Sequence, residues 1–191
     1  ADLAGLRDLL EPRGIPLIVD DTVTTAANLD VLRCADAVTT SLTKLFSGIG
    51  DVMAGAVVLR ADSPHHGAFR ESLAAAERDA PLFVLDAIIL ERNSRDFPDR
   101  VPLINERGEA VYDFLLSHPR VERIWYPKGE TPERYEALLK PGGGYGGLLS
   151  LLLKDAPRTA PAFYDALRIS KGPSLGTNYS LACPYTLLAH Y

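Results

Sequence analysis

Leu3, Leu6, Leu9 and Leu10 recur at helical spacing, and Pro12 and Gly14 stop the helix that they predict. Leu17-Ile18-Val19-Asp20 is a short unbroken apolar run ending on a carboxylate, the pattern of a buried strand. Residues 35–40 and 53–59 repeat it, each run short, apolar and bounded by glycine or polar turns. A helix followed by such strands predicts an α/β sheet. From about 69 to 116 the spacing turns mostly helical, with interruptions expected near Pro98 and Pro102, because proline removes a donor and crowds the preceding turn. This span is expected to bridge two domains. After Ser117-His118-Pro119 come a strand at 121–126, a helix at 133–139, a strand at 148–153, a helix at 160–167 and a short strand at 168–170. That order predicts a smaller α+β layer. Gly142-Gly143-Gly144 and Gly146-Gly147 have the composition of a phosphate cradle, but a strand rather than a helix start follows, so they are read as a flexible entry turn.

Composition narrows the field without naming a chemistry. A chain of 191 residues, 47% hydrophobic and 24% charged, can bury a substantial core. No apolar run approaches the roughly 18 residues of a membrane span, and Ala1-Asp2-Leu3 does not open a basic-then-apolar leader. A net charge of −5 without a dense Lys/Arg cluster argues against nucleic acid, whose phosphates are held by neutralising contacts. Cys34 and Cys183 lie far apart with no CxxC spacing, which suggests reduced, buried thiols. The expectation is a cytoplasmic protein with neither a membrane nor a nucleic-acid partner.

Chemistry concentrates around Lys44. It follows the second predicted strand behind two hydroxyls, Ser41 and Thr43, and Asp20 closes the strand upstream. Pyridoxal 5'-phosphate asks a protein for an amine to meet its aldehyde, a carboxylate to keep its ring nitrogen protonated, and hydroxyl donors for its phosphate. Ligands of open α/β sheets gather outside the carboxyl ends of strands, where Asp20 stands. Taken alone, Asp20-Asp21-Thr22 could equally bind a metal or cap a turn. Lys44 is flanked by apolar residues where the strand meets the loop Ser47-Gly48-Ile49-Gly50; desolvation there would favour a neutral, nucleophilic amine. Without its neighbours the same lysine reads as a surface side chain with a buried stem. Ser41 and Thr43 would face one way if the segment stays extended.

The combination is more specific than its parts. Ile18-Val19-Asp20-Asp21-Thr22, Ala35-Asp36-Ala37-Val38, Ser41-Leu42-Thr43-Lys44, Gly48-Ile49-Gly50-Asp51-Val52-Met53-Ala54-Gly55 and Pro173-Ser174-Leu175-Gly176-Thr177-Asn178 resemble, in order and spacing, the cystathionine γ-synthase family. This is the Cys/Met-metabolism branch of fold-type I pyridoxal-phosphate enzymes. Glu91-Arg92-Asn93-Ser94-Arg95-Asp96-Phe97 and Leu187-Leu188-Ala189-His190-Tyr191 make the resemblance strongest to its fungal type.

The resemblance implies an α/β fold: the second half of the large cofactor-binding domain with its bridging helix over 1–118, and an incomplete small domain over 119–191. It implies that Lys44 carries the cofactor as a Schiff base and shuttles protons. Asp20 would partner the pyridinium, Ser41 and Thr43 the phosphate, Thr22 would stand beside the ring, and Ser174 would meet the substrate carboxylate; no metal is implied. The implied reaction is γ-replacement on O-activated homoserine by cysteine to give cystathionine. An O-acylhomoserine sulfhydrylase or a cystathionine lyase shares the Lys44 chemistry, and the rival of another class is an inactive fragment serving only interactions. Pro173, where many relatives have Glu, and Thr177-Asn178-Tyr179 leave the subtype open. Family members carry a glycine-rich phosphate turn, a stacking aromatic and a Tyr/Arg pair ahead of the region matching Ala1, and a carboxylate-binding arginine beyond that matching Tyr191. The chain is therefore expected to be a fragment of a homodimer or homotetramer whose active site is shared between subunits, with its open sheet edges covered.

Overall fold

Asp2 caps the first helix, α1 (Leu3–Leu10): its carboxylate accepts from the Gly5 N–H at 2.9 Å. The chain tightens through Glu11–Arg13, and Gly14, at φ 64°, ends the helix where the sequence places its stop. The computed structural model describes residues 1–189, with the backbone alone at 188 and 189; His190 and Tyr191, part of the last matching motif, lie outside the described residues.

β1 (Ile18–Asp20), β2 (Ala37–Ser41) and β3 (Gly55–Leu59) form one sheet in the order β1-β2-β3. β1 runs parallel to β2 with Asp20 opposite Thr39, and β3 returns antiparallel with Gly55 opposite Ser41. The carboxyl ends of β1 and β2 therefore share one edge with the start of β3. These strands are less buried than their apolar runs predict: Ile18 is 52% and Val58 50% exposed. Central β2 is buried at Ala37 and Val38, whereas Ile18 on β1 and Val58 on β3 stand on the two edge strands and stay half in water, although Val58 shares the Val19–Val38 face that packs on the core. The core beneath the sheet gathers Leu29, Val31, Cys34, Ala35, Val38 and Leu138. Cys34 is buried as expected, whereas Cys183 is only half-buried, and both are free thiols.

Three helices follow: α2 (His66–Asp79), α3 (Val84–Ser94) and α4 (Phe97–Leu116). Pro98 sits in the first turn of α4, where no intrahelical N–H bond is lost. Pro102 lies inside α4 and does not interrupt it, contrary to the sequence reading. It removes one donor, to the Pro98 carbonyl, and the rest of a 20-residue helix carries that loss. No helix among the described residues is long and apolar enough to cross a membrane.

The remaining elements are β4 (Val121–Trp125), α5 (Pro127–Glu130), α6 (Pro132–Glu136), β5 (Ser150–Leu153), α7 (Ala156–Ala166), β6 (Ser170–Lys171), β7 (Leu181–Ala182) and α8 (Tyr185–Ala189). β4 pairs antiparallel with β5, and β6 parallel with β7. α7 starts earlier than its apolar spacing suggests, because Pro157 supplies a helical φ in the first turn.

The glycine run is not a flexible turn. A Cβ at Gly144 would come within 2.6 Å of Asn105 Cγ, one at Gly147 within 2.6 Å of Ile104, and one at Gly143 would collide with the Asn28 carbonyl. Asn28 and Asn105 exchange amide hydrogen bonds at 3.1 and 2.8 Å. Their side-chain oxygens also accept from Gly144 N–H at 3.0 Å and Gly146 N–H at 2.9 Å. Glycine lets the backbone approach closely enough for this buried polar seam to close.

Candidate active site

β2 ends at Ser41, and the chain rolls into a kinked helical turn, Leu42–Phe46, in which Lys44 takes a non-helical φ/ψ of −84°/−125°. The extended alternation expected of Ser41 and Thr43 stops there. Thr43 turns toward β3, and its Oγ1 accepts from the Ala54 N–H at 3.1 Å. Lys44 is half-buried rather than sealed among apolar residues, which corrects the expected desolvation. Its Nζ donates to Ser174 Oγ at 3.0 Å, joining residues 130 apart in the chain.

The segment bearing Ser174 docks on the same turn. Gly176, at φ 78°, lies so close that a Cβ there would stand 2.7 Å from Leu45 N and 2.8 Å from Lys44 Cβ. The Asn178 N–H donates to the Gly48 carbonyl at 2.6 Å, and the Gly48 N–H to the Lys44 carbonyl at 2.7 Å.

Asp20 and Thr22 form the neighbouring wall. The Asp20 carboxylate accepts from the Thr22 N–H at 2.9 Å. The Thr22 hydroxyl, then its backbone N–H, holds the Asp20 carboxyl below the usual carboxylate range, so it stays ionised. Thr22 Oγ1 also accepts from the Ser41 N–H at 2.8 Å and ties the ends of β1 and β2 together. Asp21 turns the other way: it is 3% exposed, and burial pushes its carboxyl up to about 6 despite the Thr24 hydroxyl. The two adjacent carboxylates thus occupy different environments. Among the described residues no group of three or more His, Cys, Asp or Glu is placed to hold a metal ion.

The structure thus joins Lys44 to Ser174 directly, and Asp20 to Thr22 and Ser41 through hydrogen bonds. Two further residues support the turn: Asn93, which lies inside the 91–97 motif but is given no role by it, and Arg100, which lies outside every quoted motif. Buried Asn93 donates to Ser47 Oγ at 3.0 Å and Asp51 Oδ1 at 2.8 Å. Arg100 reaches the carbonyls of Leu45 and Phe46, both at 3.0 Å. The one local hint is Asp96, four residues before Arg100 on a helix.

These side chains fit pyridoxal phosphate. Asp20 is an ionised carboxylate at a strand end, suited to a protonated ring nitrogen. Lys44 supplies an accessible amine. The Thr43 hydroxyl accepts from the Ala54 N–H at 3.1 Å and donates to the Ala54 carbonyl at 3.5 Å, a long bond that an anion at the turn would displace.

A family model described as Cys/Met metabolism PLP-dependent enzyme matches residues 1–190. The cystathionine gamma-synthase of Neurospora crassa is 44% identical over 191 residues, covering 100% of this chain and 30% of that protein. A cystathionine gamma-synthase-like enzyme of Amanita muscaria is 42% identical over 211 residues, covering 100% of this chain and 33% of that protein. The crystal structure of cystathionine gamma synthase from Xanthomonas oryzae pv. oryzae in complex with aminoacrylate and cysteine superposes with a TM-score of 0.87 at 26% identity, covering 100% of this chain and 49% of that one. The chain spans about a third of the length of these curated relatives.

Proposed function

The chain belongs to the Cys/Met metabolism PLP-dependent enzymes, and from that premise we propose that it carries the lysine-bearing wall of an enzyme performing γ-replacement on O-activated homoserine with cysteine to give cystathionine. The observation that supports this most is the 3.0 Å contact between Lys44 Nζ and Ser174 Oγ, with the Asp20 carboxylate, held below its ordinary range, tied through Thr22 to Ser41 at the start of the Lys44 turn. Bound pyridoxal phosphate would supply an electron sink that makes the substrate's Cα–H acidic. Lys44 would hold the cofactor and, once displaced by the substrate amine, take the proton from Cα and return it along the chain. Ser174 would direct that amine and offer its own hydroxyl proton to the substrate carboxylate. Asp20 would keep the ring nitrogen protonated, with Thr22 fixing the carboxylate. Ser41 and Thr43 would donate to the phosphate. In the net exchange the Cγ–O bond breaks and the acyl group departs as a carboxylate, the cysteine thiol gives up its proton to solvent, and the sulfur bonds to Cγ in its place.

We place the division between the large and small domains near residue 118. We further propose a homodimer or homotetramer in which other segments and another subunit complete the site. Support comes from the apolar side chains left on the surface: Ile18 and Val58 of the sheet, and Val84, Leu85 and Ile88 of α3, each at least 50% exposed. Apolar side chains on the edge strands of an open sheet fit cover by a further polypeptide segment.

Steady-state assays of the protein with O-acetyl- and O-succinyl-homoserine, each against cysteine and sulfide, and with cystathionine alone, decide among synthase, sulfhydrylase and lyase. The synthase reading expects cysteine to be the preferred acceptor. Turnover with sulfide alone, or with cystathionine alone, would replace it. Added pyridoxal phosphate is expected to give a visible band that Lys44→Ala abolishes.

A further inference from the structure

Lys44 stands in a turn whose last carbonyls have no helical partners of their own. A helical turn that ends leaves such carbonyls orphaned, and something must satisfy them. Arg100, from the first turns of α4, does so with its two terminal nitrogens. Nη1 donates to the Leu45 carbonyl at 3.0 Å; Nη2 donates to those of Phe46 at 3.0 Å, Ser47 at 3.4 Å and Asn93 at 3.3 Å. The remaining nitrogen, Nε, is anchored on Asp96 Oδ1 at 2.7 Å. The side chain is 11% exposed, so these bonds are little diluted by water. The backbone is shaped to admit it: Gly48 holds φ 78°, and a Cβ there would occupy the space of the guanidinium. Phe97 lies 6.0 Å from the guanidinium and 5.1 Å from the Phe46 ring, closing the apolar side of the pocket.

Everything that aims Lys44 depends on this turn. The Gly48 N–H closes onto the Lys44 carbonyl, the Gly48 carbonyl receives Asn178, and Gly176 rests on Lys44 Cβ. A planar fork can serve several carbonyls at fixed angles, where an ammonium offers one point charge. We propose that Arg100 is a positioning residue for Lys44: by gathering the carbonyls of residues 45–47 it fixes the turn that directs Nζ to Ser174 and docks residues 174–178. This rests on the proposed role of Lys44, but the clamp itself is a property of the chain.

The test compares the unmodified protein with Arg100→Ala, Arg100→Lys and Asp96→Asn. Backbone hydrogen exchange without cofactor is expected to rise in Arg100→Ala at residues 42–48 and 174–178, with α2 and β4 unchanged. With pyridoxal phosphate added, the rate of borohydride-trapped linkage to Lys44 is expected to fall about ten- to a hundredfold, the scale of a small misplacement of a reacting group. kcat should fall with it while KM stays within about threefold. Arg100→Lys, which keeps the charge and loses the fork, should recover only part of the rate. If Arg100→Ala does not fold, Arg100→Lys and Asp96→Asn carry the test, each expected to fall between the extremes. Wild-type exchange and linkage rates in the variants that fold would overturn the proposal. So would an exchange increase spread evenly over the whole chain, the mark of general destabilisation. Absence of Lys44 linkage in the unmodified protein would overturn the proposed function instead, leaving the exchange pattern to judge the clamp.

Discussion

At the scale of single residues, the two adjacent aspartates differ because of where β1 ends. Asp20 looks out and is stabilised as an anion by Thr22, whereas Asp21 looks in and resists ionisation. A buried carboxyl raised from 3.8 to about 6 binds its proton more tightly folded than unfolded, so its contribution to stability is present below 3.8 and lost as pH rises through about 6. Asp21→Asn keeps the shape without the charge. The variant is expected to match the wild type near pH 4 and to melt at a higher temperature above pH 6, as thermal denaturation across pH would show. Equal melting temperatures at pH 7.5 would refute that account. Thr22→Val removes the hydroxyl that receives the Ser41 N–H, at a cost of about 1 kcal/mol in chemical denaturation. It should also bring the Asp20 carboxyl back toward its ordinary range, so that cofactor absorbance is lost at a higher pH during acidification. Asp20 and Lys44 were legible as single residues, because an acid ending an apolar run and a lysine behind hydroxyls stand out. Asp21 was not, since inward and outward orientation depends on the turn at Thr22–Thr25 and on Thr24, not on residue type.

Among the elements, β1, β2 and β3 were readable from short apolar runs, and α1 from its spacing and its proline–glycine stop. The extended reading of Ser41-Leu42-Thr43 failed because the ladder between β2 and β3 ends at Ser41–Gly55 and the chain bends beyond it. Close approach was equally invisible. Gly176→Ala adds a Cβ 2.7 Å from Leu45 N at a φ that side chains avoid, so residues 174–178 should lift off the turn. A lowered melting temperature and faster exchange at 42–48 are expected, while Gly67→Ala, with open space around its Cβ, leaves both near wild type. Either change appearing in the Gly67 control would show that the assay reads a general effect of substitution and not docking, because alanine is the better helix former at that site. In the glycine seam, Asn105→Leu strands the buried Asn28 amide and is expected to cost about 2 to 3 kcal/mol in denaturant unfolding. A loss below about 0.5 kcal/mol would mean that the pair is not the seam's main tie.

For the whole molecule, the α/β fold expected from the motif order is the one shared with the solved cystathionine gamma synthase. The strands nevertheless lack the full burial that their composition calls for. A sheet with Ile18 and Val58 half in water invites another polypeptide onto it. Size-exclusion chromatography with intact-mass analysis is expected to show the 191-residue chain associated with itself or with a further segment; a stable monomer would count against the proposed assembly.

Residue order alone determined the family resemblance, the first sheet and the chemistry to look for, because an amine, a carboxylate and hydroxyls at fixed spacing are properties of a local run of chain. Only the tertiary structure decided that Lys44 meets Ser174, that Thr43 turns to Ala54, that Asp21 faces inward and that Arg100 holds the turn. These are contacts between segments as much as 130 residues apart. Their geometry depends on where strands end and how closely glycines let backbones approach, and neither is written in a run of neighbouring residues.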